Sequence, residues 1–274
     1  LYMIITDEAI KRINKNIAKE PWKTFFKGTE ILANSLLKED FPPIDRKKRN
    51  WVLRQARSIS RVIITLAGFY KITGEEKYAN RAYYFVEDLL NWEQWYWEYS
   101  GSGDREYDLA TGELSFTLYI CLNWLQDWLD DKMYEVIINM IEKRIFVPYL
   151  KATESNNRVW WYDCNHNWNP VCNGGIFSLA LYLKEENKMA EQIAPISLKG
   201  LNIFIDQMHE DGSSEEGICY WQYGMMYLTY ALKTYEDITG IEHSAFSKKA
   251  FREGLYFPFD FSPQGVGISF GDCN

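Results

Sequence analysis

Along most of this chain apolar positions recur at three- and four-residue intervals, the period of a helix with one buried face. The spacing predicts helices over residues 46–71, 75–92, 109–129, 131–150, 170–184, 188–208 and 214–238. Strand-like alternation is confined to residues 254–270, where Pro258, Pro263, Gly265 and Gly267 interrupt any helical run. That tail reads as loop or short strand.

The helices come in pairs joined by tight turns at Gly74–Glu75, Asp130–Asp131, Glu186–Asn187 and Gly240–Ile241, spaced by about 56, 56 and 54 residues. A fixed spacing of this size signals a repeat of helical hairpins, which stacks into a solenoid or closes into a toroid. The expected fold class is therefore all-α, with residues 1–255 in the repeat and residues 256–274 as an irregular or β-like tail. In each hairpin the first helix runs toward the tight turn and the second runs back. The longer connections, 91–108, 151–169 and 209–213, then share the opposite face. They carry Trp95, Tyr96, Trp97, Tyr99, Trp160, Trp161, Tyr162 and His166. Long loops on one side of a rigid scaffold are where binding usually sits, so this face is the expected one.

Composition sharpens the picture in one respect. Aromatic residues make up 16 % of the chain, with 11 Trp and 19 Tyr. Side chains with a flat apolar face and a polar tip suit a cleft as well as a core. A net charge of −8 provides no overall basic field to attract nucleic acid or an anionic membrane, so an acidic partner needs a local site. No apolar run reaches the ~18 residues of a membrane span. Five cysteines without close pairing argue against a disulfide framework, and three scattered histidines leave no zinc motif. No cofactor is implied. No signal peptide is visible, and the chain begins at Leu1 without a Met.

Two segments on the loop face carry candidate chemistry. In Trp160-Trp161-Tyr162-Asp163-Cys164-Asn165-His166-Asn167-Trp168-Asn169-Pro170, an Asn followed by Pro marks a helix start. Asn165, His166 and Asn167 then lie just ahead of free N–H groups that favour negative charge, where amide and imidazole donors can hold a sugar carboxylate. Capping and turning the chain is the plainer use of the same residues. In the second segment, Asp211 to Gly224, Ser213 and Glu216 fit a capping box that opens a helix. Tyr220, Tyr223, Tyr227 and Tyr230 follow on one side of it, a stripe that suits a core or a site. Gly174 and Gly175 inside the preceding helix predict either close backbone approach or a break, since each glycine costs ~1 kcal/mol there.

At these residues the chain resembles the heparinase II/III-like polysaccharide lyases. Asn165-His166-Asn167-Trp168-Asn169-Pro170-Val171-Cys172-Asn173-Gly174-Gly175 is similar to the family's Asn-Trp-Asn…Val-Cys-Asn-Gly-Gly signature. Glu216-Gly217-Ile218-Cys219-Tyr220-Trp221-Gln222-Tyr223-Gly224 resembles its Glu-Gly…Tyr-Trp…Tyr-Gly segment, and 108–129 and 262–272 resemble two further ones. Leu122-Asn123-Trp124 departs from the family's Tyr-Asp-Trp and lacks its acidic group.

The resemblance implies an incomplete (α/α) toroid followed by further helices and a β-sandwich. It also implies β-elimination at a uronic acid, in which a Tyr takes the C5 proton and protonates the leaving oxygen while Asn or His neutralises the carboxylate. By that resemblance Tyr220 is the expected base and acid, Tyr223 its alternate, and His166 and Asn167 the neutralisers. Asn165, Arg158, Trp161, Trp168, Glu216 and Trp221 are expected to bind substrate, an acidic polysaccharide or oligosaccharide. The resemblance favours a periplasmic or secreted setting. Two other readings compete: a glycoside hydrolase using a pair among Asp163, Asp211, Glu215 and Glu216, and a non-catalytic carbohydrate-binding module.

Overall fold

The computed structural model describes residues 7–38, 40, 47, 50–97, 106–154, 158–262 and 265–271. The helices are α1 (Asp7–Asn16), α2 (Trp22–Leu36), α3 (Trp51–Thr73), α4 (Glu76–Leu90), α5 (Leu109–Leu125), α6 (Asp131–Ile141), α7 (Val147–Ala152), α8 (Trp168–Leu183), α9 (Lys188–Gln207), α10 (Ile218–Thr239), α11 (Lys249–Glu253) and α12 (Phe257–Asp260). Among the described residues there is no strand, so the fold is all-α. None of these helices is long and apolar enough to cross a membrane.

The tight turns lie where the repeat places them, and each has a local cause. Gly74 and Gly240 end α3 and α10 in the left-handed conformation, at φ 72° and 71°, which a residue without Cβ adopts freely. Asp130 caps α6 by accepting the Met133 N–H, and Asn187 caps α9 by accepting those of Met189 and Ala190. Between α6 and α7 the helix widens into a π turn over Glu142–Phe146, just ahead of Pro148, whose ring cannot sit against the carbonyl one turn back.

Helices α3, α5, α8 and α10 pack in that order, α4 lies against α3, and α9 lies against α8. Side chains one repeat apart touch at both ends of neighbouring helices. Arg57 reaches Glu113 and Lys71 reaches Asp127, each pair 56 residues apart. The hairpin-first helices are therefore parallel and in register. Helices α5 and α8 are apolar all round, and nearly every residue of each is buried because each has neighbours on both flanks and behind.

Gly174 and Gly175 do not break α8, which runs unbroken to Leu183. A Cβ at Gly175 would lie 2.0 Å from the Gly112 carbonyl oxygen of α5, and one at Gly174 would lie 3.0 Å from that of Tyr227 on α10. Close backbone approach on both flanks is thus the reason for the glycine pair.

The structure departs from the sequence expectations at both ends. Helices α1 and α2 stand where no helix was expected, although both are amphipathic; only Ala33 and Leu36 of α2 are buried, so their apolar faces are mostly uncovered. The tail expected as loop or short strand instead holds α12, with Pro258 in its first turn, and has no strand among its described residues. Tyr99, Pro263, Asp272 and Cys273 lie outside the described residues.

Candidate functional site

Helix α8 begins at Trp168, two residues before the expected start, so Asn165, His166 and Asn167 sit directly at its mouth. The approach is held by buried amides. Asn169 donates to the Tyr162 and Gly200 carbonyls at 2.7 and 3.1 Å, while the Tyr149 hydroxyl donates to Asn173 Oδ1 at 2.7 Å. These two asparagines of the signature are structural ties.

The segment before α10 is built differently from the expected capping box. Ser213 donates to Asp211 instead of capping, and Gly217, at φ 88°, separates Glu216 from a helix that starts only at Ile218. Glu216 turns to α8: its carboxylate accepts the Asn167 backbone N–H at 2.7 Å and the Asn167 side-chain amide at 2.5 Å. His166 Nδ1 stands 3.9 Å from the same carboxylate and, buried, makes no hydrogen bond. Gly224 lets the first turns of α10 close on this point, since a Cβ there would be 3.1 Å from Asn167 Cα.

A cavity of about 150 Å³ opens between these elements, lined among others by Asn165, His166, Asn167, Glu216, Tyr220 and Trp221. Asn167 does not fit its expected role. It is only 3 % exposed, its N–H and amide nitrogen are held by Glu216, and its remaining Oδ1 is buried without a partner. Buried as it is, and beside a carboxylate, Asn167 offers no free donor to a second carboxylate. Asn165 and His166 remain as donors toward an anion. Trp221 lines the cavity while its Nε1 donates to the Gly212 carbonyl at 2.9 Å.

Trp161, Trp168 and Arg158, also expected at the site, lie outside this lining. Trp161 is no stacking platform: it is 0 % exposed, packed between Tyr107 and Tyr149 in the core. Trp95 and Tyr162 are likewise buried. The exposed ring of that turn is Trp160, 41 % accessible, which lies 4.9 Å from partly buried Trp168 and 5.4 Å from His166. Arg158 is outside the cavity lining; it pairs with Asp163 at 3.4 Å and covers the Tyr162 ring.

The tyrosine stripe divides. Tyr227 and Tyr230 pack on Phe116 of α5. Tyr220 lines the cavity, whereas Tyr223, three residues on, points to a cluster of its own. Its hydroxyl donates to Glu113 Oε1 of α5, and the Arg57 guanidinium of α3 lies 4.9 Å from its ring centroid. Arg57 Nε donates to the same Glu113 oxygen at 2.8 Å. The two phenols expected on one face thus have separate surroundings, and the cluster joins the first and last of the four parallel helices.

The Glu113 side chain is 5 % exposed and that of Arg57 47 %, so the cluster reaches solvent through the guanidinium. Burial raises the Glu113 pKa, with Arg57 and the Tyr223 hydrogen bond pulling it back. Burial and the Glu113 charge push the Tyr223 phenol well above 10, with Arg57 acting against them. Neither Arg57 nor Glu113 was among the expected site residues. The signal for Glu113 was present, since it is the one charged residue in the apolar run 109–125. A charge so placed is almost never buried unless paired.

Compared with known proteins, the chain matches no family profile and no curated sequence.

Proposed function

We propose that this chain is the helical portion of a heparinase II/III-like polysaccharide lyase, an incomplete (α/α) toroid, and that it acts on a uronate-containing polysaccharide by β-elimination. The observation that carries the reading is the cavity at the starts of α8 and α10, where Tyr220 shares one open lining with Asn165 and His166. A phenol and donors able to hold a carboxylate, the side chains that elimination needs, line the same cavity.

In this reading Asn165 and His166 hold the uronate carboxylate and withdraw charge from C5, which makes its proton removable. Asn167, fixed by Glu216, holds the start of α8 in place behind them. Trp160 and Trp168 offer the stacking surface at the rim, in place of buried Trp161. A phenol at the start of α10, Tyr220 or its neighbour Tyr223, takes the C5 proton. The C4–O bond breaks as the C4–C5 double bond forms, and the proton passes to the leaving oxygen.

The test is turnover of alginate, heparan-type and chondroitin-type chains, followed by the ultraviolet absorbance of the new double bond. At least one polymer is expected to give absorbance that Tyr220→Phe or Tyr223→Phe reduces by ~10²-fold or more. Full turnover in both variants refutes the assignment. Specific oligosaccharide binding by calorimetry with no product from the native chain identifies a binding module instead.

A further inference from the structure

We propose that the outward side of α1 and α2 is a docking surface for an anionic lipid bilayer, which the protein meets at its surface without crossing it. The surface shares no residue with the cavity at the starts of α8 and α10.

An open apolar groove of about 500 Å³ runs between the two helices, lined by Ile13, Ile17, Trp22, Phe25 and Phe26, with Arg12 among its polar members. Trp22, Phe25, Phe26, Ala33 and Leu36 fall along one stripe of α2. The far end of that stripe is in the core, where Ala33 and Leu36 are buried. Phe26 stacks on Phe69 of α3 at 5.5 Å. The near end is not covered: Trp22 is 56 % exposed and Phe25 66 %. Two large rings standing in water at a groove mouth are the kind of patch that marks an interaction surface.

Charge identifies what the groove meets. Residues 11–27 hold Lys11, Arg12, Lys15, Lys19, Lys23 and Lys27 against Glu20 alone, in a chain whose net charge is −8. All six cations are exposed. The acidic balance of the molecule is therefore reversed around its open apolar groove. A basic amphipathic segment with Trp and Phe on its apolar side is the arrangement that lies in a bilayer interface. The rings enter the acyl boundary, while lysine stems follow them and keep the ammonium groups among lipid phosphates. A sugar chain fits less well, because its hydroxyls need many donors and acceptors and this lining is mainly hydrocarbon. A second copy docked face to face would set these cations against one another. None of the helices is long and apolar enough to cross the membrane, so the contact is superficial.

The experiment sediments the full chain with vesicles of phosphatidylcholine alone and of equal parts phosphatidylcholine and phosphatidylglycerol, at low and high salt. The native chain is expected to pellet with the anionic vesicles at low salt, to be released at high salt, and to leave the neutral vesicles unbound. Trp22→Ser combined with Phe25→Ser lowers affinity for the anionic vesicles by ~10-fold or more. Replacing Lys15, Lys19, Lys23 and Lys27 by Gln lowers it by ~10²-fold or more. Melting temperatures stay near the native value, because all six side chains are exposed. Should the double Ser variant fail to fold, the lysine variant decides. A native chain that ignores anionic vesicles, or variants that bind them as tightly as the native chain does, overturn the proposal. Sedimentation velocity and calorimetry with uronate oligosaccharides distinguish the other occupants. A native dimer that the double Ser variant dissolves gives the groove to a second copy. Oligosaccharide affinity lost in the lysine variant, with no vesicle binding by the native chain, gives it to the sugar. Either result overturns the lipid assignment and leaves the elimination reading untouched.

Discussion

Gly175 of α8 and Gly112 of α5 meet backbone to backbone, with a Cβ on Gly175 falling 2.0 Å from the Gly112 carbonyl oxygen. The contact draws α5 and α8 together just below the residues of the site. Gly175→Ala must push the helices apart, because the obstacle is backbone and no rotamer relieves it. The expected loss is ~1–3 kcal/mol or more in denaturant unfolding. Gly28→Ala meets nothing within 4 Å, so the same measurement on it gives little change or a small gain from helix propensity.

Glu216 is the tie between the α10 approach and the α8 start. Glu216→Gln removes the charge and sets an amide group against two N–H donors, one of which then lacks an acceptor. Stability is expected to fall by ~1–3 kcal/mol. The Asn167 backbone amide should also lose protection in hydrogen exchange, while that of buried Cys172 keeps it. Unchanged protection at Asn167 contradicts the proposed tie.

Adjacent tryptophans are expected to behave in opposite ways. Trp161→Ala empties a fully buried space and costs ~3–5 kcal/mol in stability. Trp160→Ala removes an exposed ring and is expected to change stability by no more than ~0.5–1 kcal/mol while weakening oligosaccharide binding in calorimetry. Equal destabilisation by the two removes Trp160 as a rim platform.

Asp108 links pH to the loop face. Its carboxylate caps α5 through the Ala110 N–H at 2.8 Å and accepts the Trp97 N–H at 2.6 Å. Burial nevertheless raises its pKa to about 7, against backbone hydrogen bonds that lower it. The folded value lies above the ordinary 3.8, so the group's contribution to stability is fullest below that value and declines as pH rises through about 7. Asp108→Asn is uncharged at every pH and, like the protonated acid it replaces, keeps one carbonyl oxygen as an acceptor. It also lacks the native decline between about pH 4 and 7, which is at most about 1.4 kcal/mol per pH unit. Parallel pH profiles of melting temperature for the two chains exclude this role.

What could be read from the sequence was local. Gly74, Asp130, Asn187 and Gly240 mark the turns because left-handed glycines and capping side chains act within a few residues. Helices α5 and α8 show instead as long, nearly uninterrupted apolar runs, because both are buried on almost every side. The capping box at Ser213 and Glu216 has the right spacing, but left-handed Gly217 intervenes and frees Glu216 to reach Asn167, 49 residues away. Trp160 and Trp161 are adjacent and chemically alike; only packing against Tyr107 and Tyr149 decides which is buried. The Glu113–Tyr223 bond spans 110 residues and depends on how the helices gather, which no local pattern records.

The most direct measurement is mass spectrometry of the products formed from a defined uronate oligosaccharide. Elimination makes the two fragments together equal in mass to the starting chain, with one bearing a C4–C5 double bond. Fragments whose masses sum to the starting chain plus one water for each bond cut reveal hydrolysis and contradict the account.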